Sequence, residues 1–264
     1  MENNHNVIAF YENSYNENER EERETLEFTR SKSIIARYLT AHKSMEIADV
    51  CGATGAYSFW LAEMGHQVHL LDLVPNHIDI AKQKSQDKGI CLASYSCADA
   101  RELPYENKSM DMVLLMGALY HFQARESRIK CLTEAFRVLK NDGILLCTVI
   151  NRYNNLIASL KYPHILEDIG FEPIKASLAT GIFPASTLPL SYAHMPKEIV
   201  SEMTEAGFED VNIIAVEGIA NPLGKTAENT EDFEQLLKCI ELVESVPELI
   251  GTSRNIIAAG RKST

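Results

Sequence analysis

From Met45 onward, short apolar segments alternate with segments that carry apolar residues on one helical face. This alternation is typical of a parallel sheet with helices on both sides, because each strand needs a crossover helix to return to the same edge. The predicted strands cover residues 47–51, 68–71, 91–97, 110–116, 144–150, 211–216 and 255–260. We therefore predict an α/β fold with a doubly wound sheet of seven strands.

A chain of 264 residues suits one large domain or two small ones. One domain, 1–264, is the better interpretation, because the α/β rhythm resumes after a break, with helices predicted at 196–206 and 229–244 in the last part of the chain, 196–264. The first ten residues are predicted to be loose and residues 16–39 to form a helix, which together make an N-terminal helical cap over 1–42. The first strands of the sheet fall in the next part of the chain, residues 43–150.

The break at residues 151–195 is too long and too apolar for a plain connector, and long segments of this kind usually carry function. It contains Pro163, Pro173, Pro184 and Pro189. We predict a lid insertion that covers the top of the sheet. Its ring-bearing residues either line an apolar pocket or bury one another for stability; they are Tyr153, Tyr162, His164, Phe183, Tyr192 and His194.

The chain has 25 basic and 37 acidic residues, which gives a formal net charge of −12. Such a chain repels nucleic acid on average, and no basic patch offsets this, so no nucleic-acid partner is expected. The longest apolar run, 112–119, is too short to span a membrane. The N-terminus lacks a secretory pattern, so we expect a cytoplasmic protein without a membrane partner.

Six cysteines are scattered along the chain, without the spacing of a zinc site. Several lie in apolar, strand-like runs, where a free cysteine behaves as a small hydrophobic residue. We predict buried, reduced thiols and no metal.

The loop after the first strand is the first candidate site, because ligands of doubly wound sheets bind beyond the carboxyl ends of the strands. It reads IADVCGATGAYSFW, in which Asp49 precedes a turn of small residues that leads into a helix. Small residues let the backbone approach a ligand, and the helix N-terminus favours an anion. A tight turn that needs Gly52 and Gly55 only for its shape is the alternative.

Two acidic residues follow the next strands. Asp72 closes the second strand, where a carboxylate can accept both hydroxyls of an adenosine ribose. Asp99 follows the third strand, where it can accept from the adenine amine. Each alone is equally typical of a helix cap or a turn, but their shared position at the end of successive strands favours a nucleoside site.

With these residues the chain resembles the class I S-adenosylmethionine-dependent methyltransferases, over residues 47–152 and more weakly up to Lys262. The matching segments are DVCGATG, VHLLDLVP, CADARELPY, SMDMVLLMGALYHF, EAFRVLKNDGILL and IGTSRNIIAAGRK. The resemblance implies a Rossmann-like methyltransferase fold with a mostly parallel sheet. It also implies that residues 43–150 are the cofactor-binding half and that the cofactor is S-adenosylmethionine.

The resemblance further assigns residues to parts of the cofactor. Asp49, Cys51, Gly52, Ala53 and Gly55 would border the methionine part, Asp72 and Leu73 the ribose, Asp99 and Ala100 the adenine, and Met116 and Gly117 the sulfonium. Tyr11 and Tyr15 resemble tyrosines that close over the cofactor in related enzymes, although packing roles explain them equally well.

The chain departs from the family at two turn positions, where Cys51 and Ala53 replace glycines. A positive φ at Ala53 would store strain of about 1 kcal/mol, and its methyl group would crowd the cofactor. We therefore expect weakened cofactor binding.

Transfer of a methyl group from a sulfonium is an in-line displacement, for which positioning supplies much of the acceleration. The segment LYHF places Tyr120 and His121 just past the fourth strand, as candidate catalytic residues. A neutral His121 could accept the acceptor's proton, or could hydrogen-bond to a neighbouring loop.

The leading hypothesis is methylation of a small molecule, because the chain has a lid insertion and no basic patch. A nucleic-acid or protein methyltransferase and a non-catalytic S-adenosylmethionine-binding protein are the alternatives. The sequence leaves open whether the protein forms a homo-oligomer.

Overall fold

A computed structural model describes residues 4–13, 25–40, 43–183, 191–223 and 230–263. A single sheet has the strand order β3-β2-β1-β4-β5-β7-β6. Its strands are β1 Glu46–Val50, β2 Gln67–Asp72, β3 Ser94–Cys97, β4 Met110–Leu115, β5 Leu139–Ile150, β6 Glu209–Ala215 and β7 Asn255–Arg261. The predicted seven-stranded α/β fold is confirmed.

The sheet is mostly parallel, as predicted. Strands β1 to β5 pair in parallel, whereas β7 is antiparallel to both β5 and β6. Both β1 and β4 are buried along nearly their whole length, which explains their unbroken apolar sequences. The strand order reverses between β1 and β4, and this places the loops after those two strands side by side.

The starts of two strands, β3 and β5, differ from the prediction by more than two residues. Strand β3 begins at Ser94 rather than at residue 91, because only the last part of that run pairs with β2. Strand β5 begins at Leu139 rather than at residue 144. Asp142 adopts a φ of 61° in this added part, and the pairing with β4 shifts register between Met110 and Met112. The start of β5 is therefore irregular.

Helices cover both faces of the sheet. The described helices are α1 Asn4–Asn13, α2 Thr25–Ala36, α3 Ala56–Glu63, α4 Pro75–Lys88, α5 Arg125–Val138, α6 Asn154–Lys161, α7 Pro163–Ile169, α8 Phe171–Thr180, α9 Pro196–Glu205, α10 Ala220–Leu223, α11 Thr230–Glu241 and α12 Pro247–Ile250. Helices α2, α3 and α4 enclose one apolar core, and α5 and α9 enclose the other. Among the described residues, no helix combines the length and the hydrophobicity that crossing a bilayer requires.

The N-terminal segment differs from its prediction. Residues 4–13, predicted to be loose, form helix α1, whose Val7 is buried against the rest of the protein. The helix predicted at 16–39 is described only from residue 25 onward and ends at Ala36. Residues 16–24 lie outside the described part of the chain.

The predicted lid insertion contains three short helices, α6, α7 and α8. Isolated bridges pair Asn151 with His194 and Ile182 with Tyr192, so the two ends of the insertion are joined to each other, and His194 N donates to the carbonyl of Ile150 at the end of β5. Pro184 and Pro189 lie outside the described residues. The division of the chain into cap, sheet and insertion stays a prediction.

All six cysteines are free thiols, but the prediction that they are buried is wrong for three of them. Cys131 and Cys147 are buried, and Cys51 is half-buried. Cys91 precedes β3, which is an edge strand, Cys97 is the last residue of β3, and Cys239 lies on α11; all three are exposed. Apolar neighbours in sequence do not bury a residue at the sheet margin.

Candidate functional site

A cavity opens at the carboxyl ends of β1 to β4, where the strand order reverses. It measures about 710 Å³, its open mouth included. Four strand-end segments and helix α1 line it; the residues are Asn4, Val7, Tyr11, Cys51, Ala53, Asp72, Leu73, Val74, His77, Asp99, Ala100, Gly117, Ala118, Tyr120, His121 and Phe122. The structure thus brings together ten of the residues singled out from sequence for cofactor or catalysis, namely Tyr11, Cys51, Ala53, Asp72, Leu73, Asp99, Ala100, Gly117, Tyr120 and His121.

The loop after β1 adopts a left-handed turn although two of its glycines are replaced. Cys51 has a φ of 58° and Ala53 a φ of 48°. Gly55 has a φ of 89° and begins α3. Gly52 does not line the cavity, and a Cβ atom there would lie 2.5 Å from Leu70 Cδ1. Gly52 therefore lets the turn pack onto β2, while Cys51 and Ala53 face the cavity.

Asp72 ties this turn to helix α4. Its Oδ2 accepts from Ala53 N at 2.9 Å, and its Oδ1 accepts from Val74 N at 2.9 Å. His77 Nδ1 lies 3.1 Å from the same Oδ1. An ionised carboxylate offers about four acceptor positions, so one stays available for a ligand hydroxyl.

Asp99 accepts more hydrogen bonds than Asp72 does. Its Oδ1 accepts from Arg101 N at 2.9 Å and from Arg101 Nε at 3.0 Å. Its Oδ2 accepts from Arg101 Nη2 at 2.6 Å and from Asn4 Nδ2 at 2.8 Å. Burial acts to raise the pKa of Asp99, but these hydrogen bonds outweigh it and lower the pKa to about 2. Asp99 is therefore a carboxylate with every acceptor position in use.

Asp49 and Met116 lie behind the cavity wall rather than in it. The Asp49 side chain is fully buried and accepts from Ser58 Oγ at 2.6 Å. Burial, with a smaller contribution from the charge of Asp72, raises the pKa of Asp49 to about 6. Met116 packs in the core beneath Gly117. A contact of either residue with a ligand stays a prediction.

Helix α1 covers the cavity. Val7 is buried there, and Tyr11 Oη lies 3.0 Å from His121 Nε2. The Tyr11 ring also packs edge-on against the rings of His77 and His121, with centroids 5.4 and 5.6 Å apart. Together with Asn4, these contacts fix both ends of α1 over the site. Tyr15 lies outside the described residues.

No described residue of the 151–195 insertion lines the cavity. Tyr153, Tyr162 and His164 are exposed. Phe183, Tyr192 and His194 are buried. The described part of the insertion therefore does not form the pocket wall that its aromatic content suggested: three of these rings are exposed, and those of Tyr192 and His194 pack against Arg128 and Glu202.

Several site residues were missed from sequence: Asn4, Val7, Val74, His77, Ala118 and Phe122 line the cavity, and Arg101 binds Asp99. His77 had a usable signal, since it follows Asp72 by five residues at the start of a helix, close enough for the hydrogen bond that the structure contains. Asn4 and Val7 had none, because only the placement of α1 brings them to the cavity.

Comparison with known proteins identifies the class of the site-bearing segment. Residues 48–147 match the family described as "Methyltransferase domain". A demethylmenaquinone methyltransferase of Oceanobacillus iheyensis is 36% identical over 102 residues, which is 38% of this chain and 42% of that protein. A tRNA 5-carboxymethoxyuridine methyltransferase of Escherichia coli is 24% identical over 198 residues, 74% of this chain and 72% of that protein.

Solved structures share the fold. A methyltransferase of Methanosarcina mazei superposes with a TM-score of 0.58 at 18% identity, covering 87% of this chain and 97% of that one. Phosphoethanolamine N-methyltransferase 2 of Haemonchus contortus, solved with S-adenosyl-L-methionine, has a TM-score of 0.57 at 16% identity, covering 89% and 53%.

The resemblance inferred from sequence is therefore confirmed: residues 48–147 match a methyltransferase domain, and the chain shares the fold of a solved S-adenosylmethionine-dependent methyltransferase. The chain matches only about two fifths of the length of the quinone methyltransferases.

Proposed function

We propose that this protein is an enzyme that transfers the methyl group of S-adenosylmethionine to a small-molecule acceptor. The observation that carries the proposal is the convergence of Asp72, Asp99 and the Cys51–Ala53 turn on one cavity, within the segment that matches the methyltransferase domain. Asp72 would hold the ribose and Asp99 the adenine of the cofactor, while Leu73 and Ala100 would pack beside them.

The cavity has features that fit this cofactor. A Cβ atom on Gly117 would lie 3.3 Å from both the Cys51 carbonyl oxygen and Tyr120 Oη, so a side chain there would narrow the space between the first and fourth loops. Asp72 keeps one acceptor position for a ribose hydroxyl. The cofactor supplies an electrophilic methyl group on a sulfonium sulfur. The protein would position the acceptor against this methyl group and exclude water from the cavity.

His121 would act at the acceptor. Its neutral imidazole can accept a proton from a hydroxyl or amine as the new bond to the methyl group forms. Tyr11 Oη, 3.0 Å from His121 Nε2, would orient the ring and close the cavity against water. Tyr120 lies beside His121, with ring centroids 4.6 Å apart, and would hold the imidazole from the other side.

A small acceptor is favoured over a nucleic acid by the net charge of −12 and by the cover that α1 places over the cavity. The second candidate, methylation of tRNA, is favoured by the similarity to the Escherichia coli tRNA enzyme over 74% of this chain. A third possibility is cofactor binding without catalysis, which the replaced glycines at Cys51 and Ala53 motivate.

Two measurements test the proposal. Calorimetry with S-adenosylmethionine and S-adenosylhomocysteine should detect binding, and no heat at millimolar cofactor would rule out the methyltransferase function. Transfer of a labelled methyl group is then compared on a metabolite extract and on bulk tRNA. Label in the metabolite fraction supports a small acceptor, label in tRNA supports the second candidate, and label in neither supports a cofactor-binding protein.

A further inference from the structure

A buried cluster of charged side chains lies next to the cavity without lining it. Arg128 of α5 is 2% exposed, Glu202 of α9 is 3% exposed and His194 is fully buried. Arg128 Nη2 donates to Glu202 Oε1 at 2.7 Å, and His194 Nε2 lies 3.2 Å from Glu202 Oε2. A buried ion pair is weak evidence for stability, since apolar residues of similar volume often do as well. The cluster therefore invites another explanation.

The charges of the cluster are well defined. Burial acts to raise the pKa of Glu202, but hydrogen bonds from His194 and Arg128 outweigh it and lower the pKa to about 2. Burial lowers the pKa of His194 below its ordinary value. The cluster thus consists of one carboxylate and one guanidinium, with a neutral imidazole that donates to the carboxylate.

The remaining donors of this cluster go to the turn at residues 118–123. Arg128 Nη1 donates to the carbonyl oxygens of Phe122 at 3.0 Å and Gln123 at 2.8 Å. The Arg128 guanidinium also lies 3.7 Å from the ring centre of Tyr192, whose backbone N donates to the Tyr120 carbonyl at 2.8 Å. Three carbonyl groups of this turn therefore accept hydrogen bonds from residues outside it.

The same turn forms one wall of the cavity. Tyr120, His121 and Phe122 all line it, opposite the end of β2 that carries Asp72. The turn is a single 3-10 turn, Leu119–His121, closed by hydrogen bonds from His121 N to Ala118 O and from Phe122 N to Leu119 O. So short a turn has few internal bonds, and its position relative to β2 depends on the bonds that it accepts from Arg128 and Tyr192.

We propose that Arg128 is a positioning residue of the cofactor site: it holds the 118–123 turn in place as one wall of the cavity that would take the cofactor. This role rests on the proposed function. Arginine suits it because its planar group presents donors in several directions at once, two towards Glu202 and one towards the two carbonyls. A lysine carries its three donors on one atom and cannot reach the carboxylate and both carbonyls together.

The test compares Arg128→Lys with a matched variant of another buried arginine. Arg30 is also fully buried, donates from Nε to the Val216 carbonyl at 3.2 Å and pairs with Glu241 and Glu244. It does not line the cavity. S-Adenosylhomocysteine is the probe, and its dissociation constant is measured by calorimetry well below the melting temperature of each variant.

We expect the dissociation constant to rise at least tenfold in Arg128→Lys and to stay within twofold in Arg30→Lys. An Arg128→Lys protein that binds within twofold of wild type overturns the inference, and so does an equal loss in both variants, since that would reflect general destabilisation. If Arg128→Lys does not fold, Glu202→Gln decides instead, with a threefold rise expected and a change within twofold overturning the inference. Wild-type protein that does not bind the probe overturns the proposed function itself.

Discussion

The strained turn after β1 yields a prediction whose size follows from the structure. Ala53 has a φ of 48°, in the left-handed region that costs an L residue about 1–2 kcal/mol. Ala53→Gly removes that strain, but glycine gains freedom in the unfolded chain, which costs about 0.4–1 kcal/mol. The hydrogen bond to the Asp72 carboxylate is donated by the backbone N–H of residue 53 and therefore stays. The free energy of unfolding should therefore rise by about 0.5–1 kcal/mol.

Urea unfolding followed by circular dichroism measures this gain directly. In a thermal scan the gain corresponds to a rise in melting temperature of about 2 °C for a domain of this size. Since the Ala53 methyl group faces the cavity, its removal should leave the affinity for S-adenosylhomocysteine unchanged or higher. A calorimetric titration of the same protein checks this second result.

Two further glycine variants serve as controls. Lys108 has a φ of 56° and does not line the cavity, so Lys108→Gly should be stabilising without any effect on affinity. Ala62 lies inside helix α3, where a glycine costs about 1 kcal/mol. If Ala53→Gly destabilises the protein as Ala62→Gly does, the turn is not strained and the reasoning is refuted.

The remaining predictions concern the candidate base, a buried carboxyl and the thiols. His121→Ala should slow methyl transfer by roughly 10²–10⁴-fold in a labelled assay, and a loss of only a few fold would exclude His121 as the base. Burial raises the pKa of Asp49 from 3.8 to about 6, so the folded state holds this proton more tightly. The contribution of Asp49 to stability should therefore fall by about 3 kcal/mol as the pH rises from about 4 to above 6. In urea unfolding, Asp49→Asn should lack this fall, and parallel pH profiles of the two proteins would contradict it. Under native conditions a thiol reagent should react rapidly with Cys91, Cys97 and Cys239, and with Cys131 and Cys147 only slowly or in denaturant, whereas fast labelling of Cys131 and Cys147 would contradict their burial.

The sheet was predictable because its signals are local. Strand β4 is a continuous apolar run, and the helix after it carries Cys131, Leu132 and Ala135 on one buried face. Asp72 and Asp99 were found because the carboxyl ends of parallel strands share one edge. The start of β3 was predicted too early, because the edge position of this strand leaves part of an apolar run unpaired.

The cover of the cavity was not predictable in the same way. Helix α1 buries only Val7 fully, so its sequence carries little sign of a packed face. Its hydrogen bonds join Asn4 to Asp99 and Tyr11 to His121, across about a hundred residues of chain. The aromatic residues of the 151–195 insertion gave a stronger but misleading signal, because ring content does not tell which surface a segment packs against.

The hydrogen bonds of Asp99 connect cofactor binding to helix α1. All four acceptor positions of this carboxylate are in use, three by Arg101 and one by Asn4. On the proposed function, an adenine amine can bond to Asp99 only by replacing one of these donors. The Asn4 amide is neutral and makes a single bond to Asp99, whereas the Arg101 guanidinium is charged and makes two, so replacing Asn4 costs less. Entry of the cofactor should therefore loosen the first turn of α1 and leave Tyr11, at its far end, against His121.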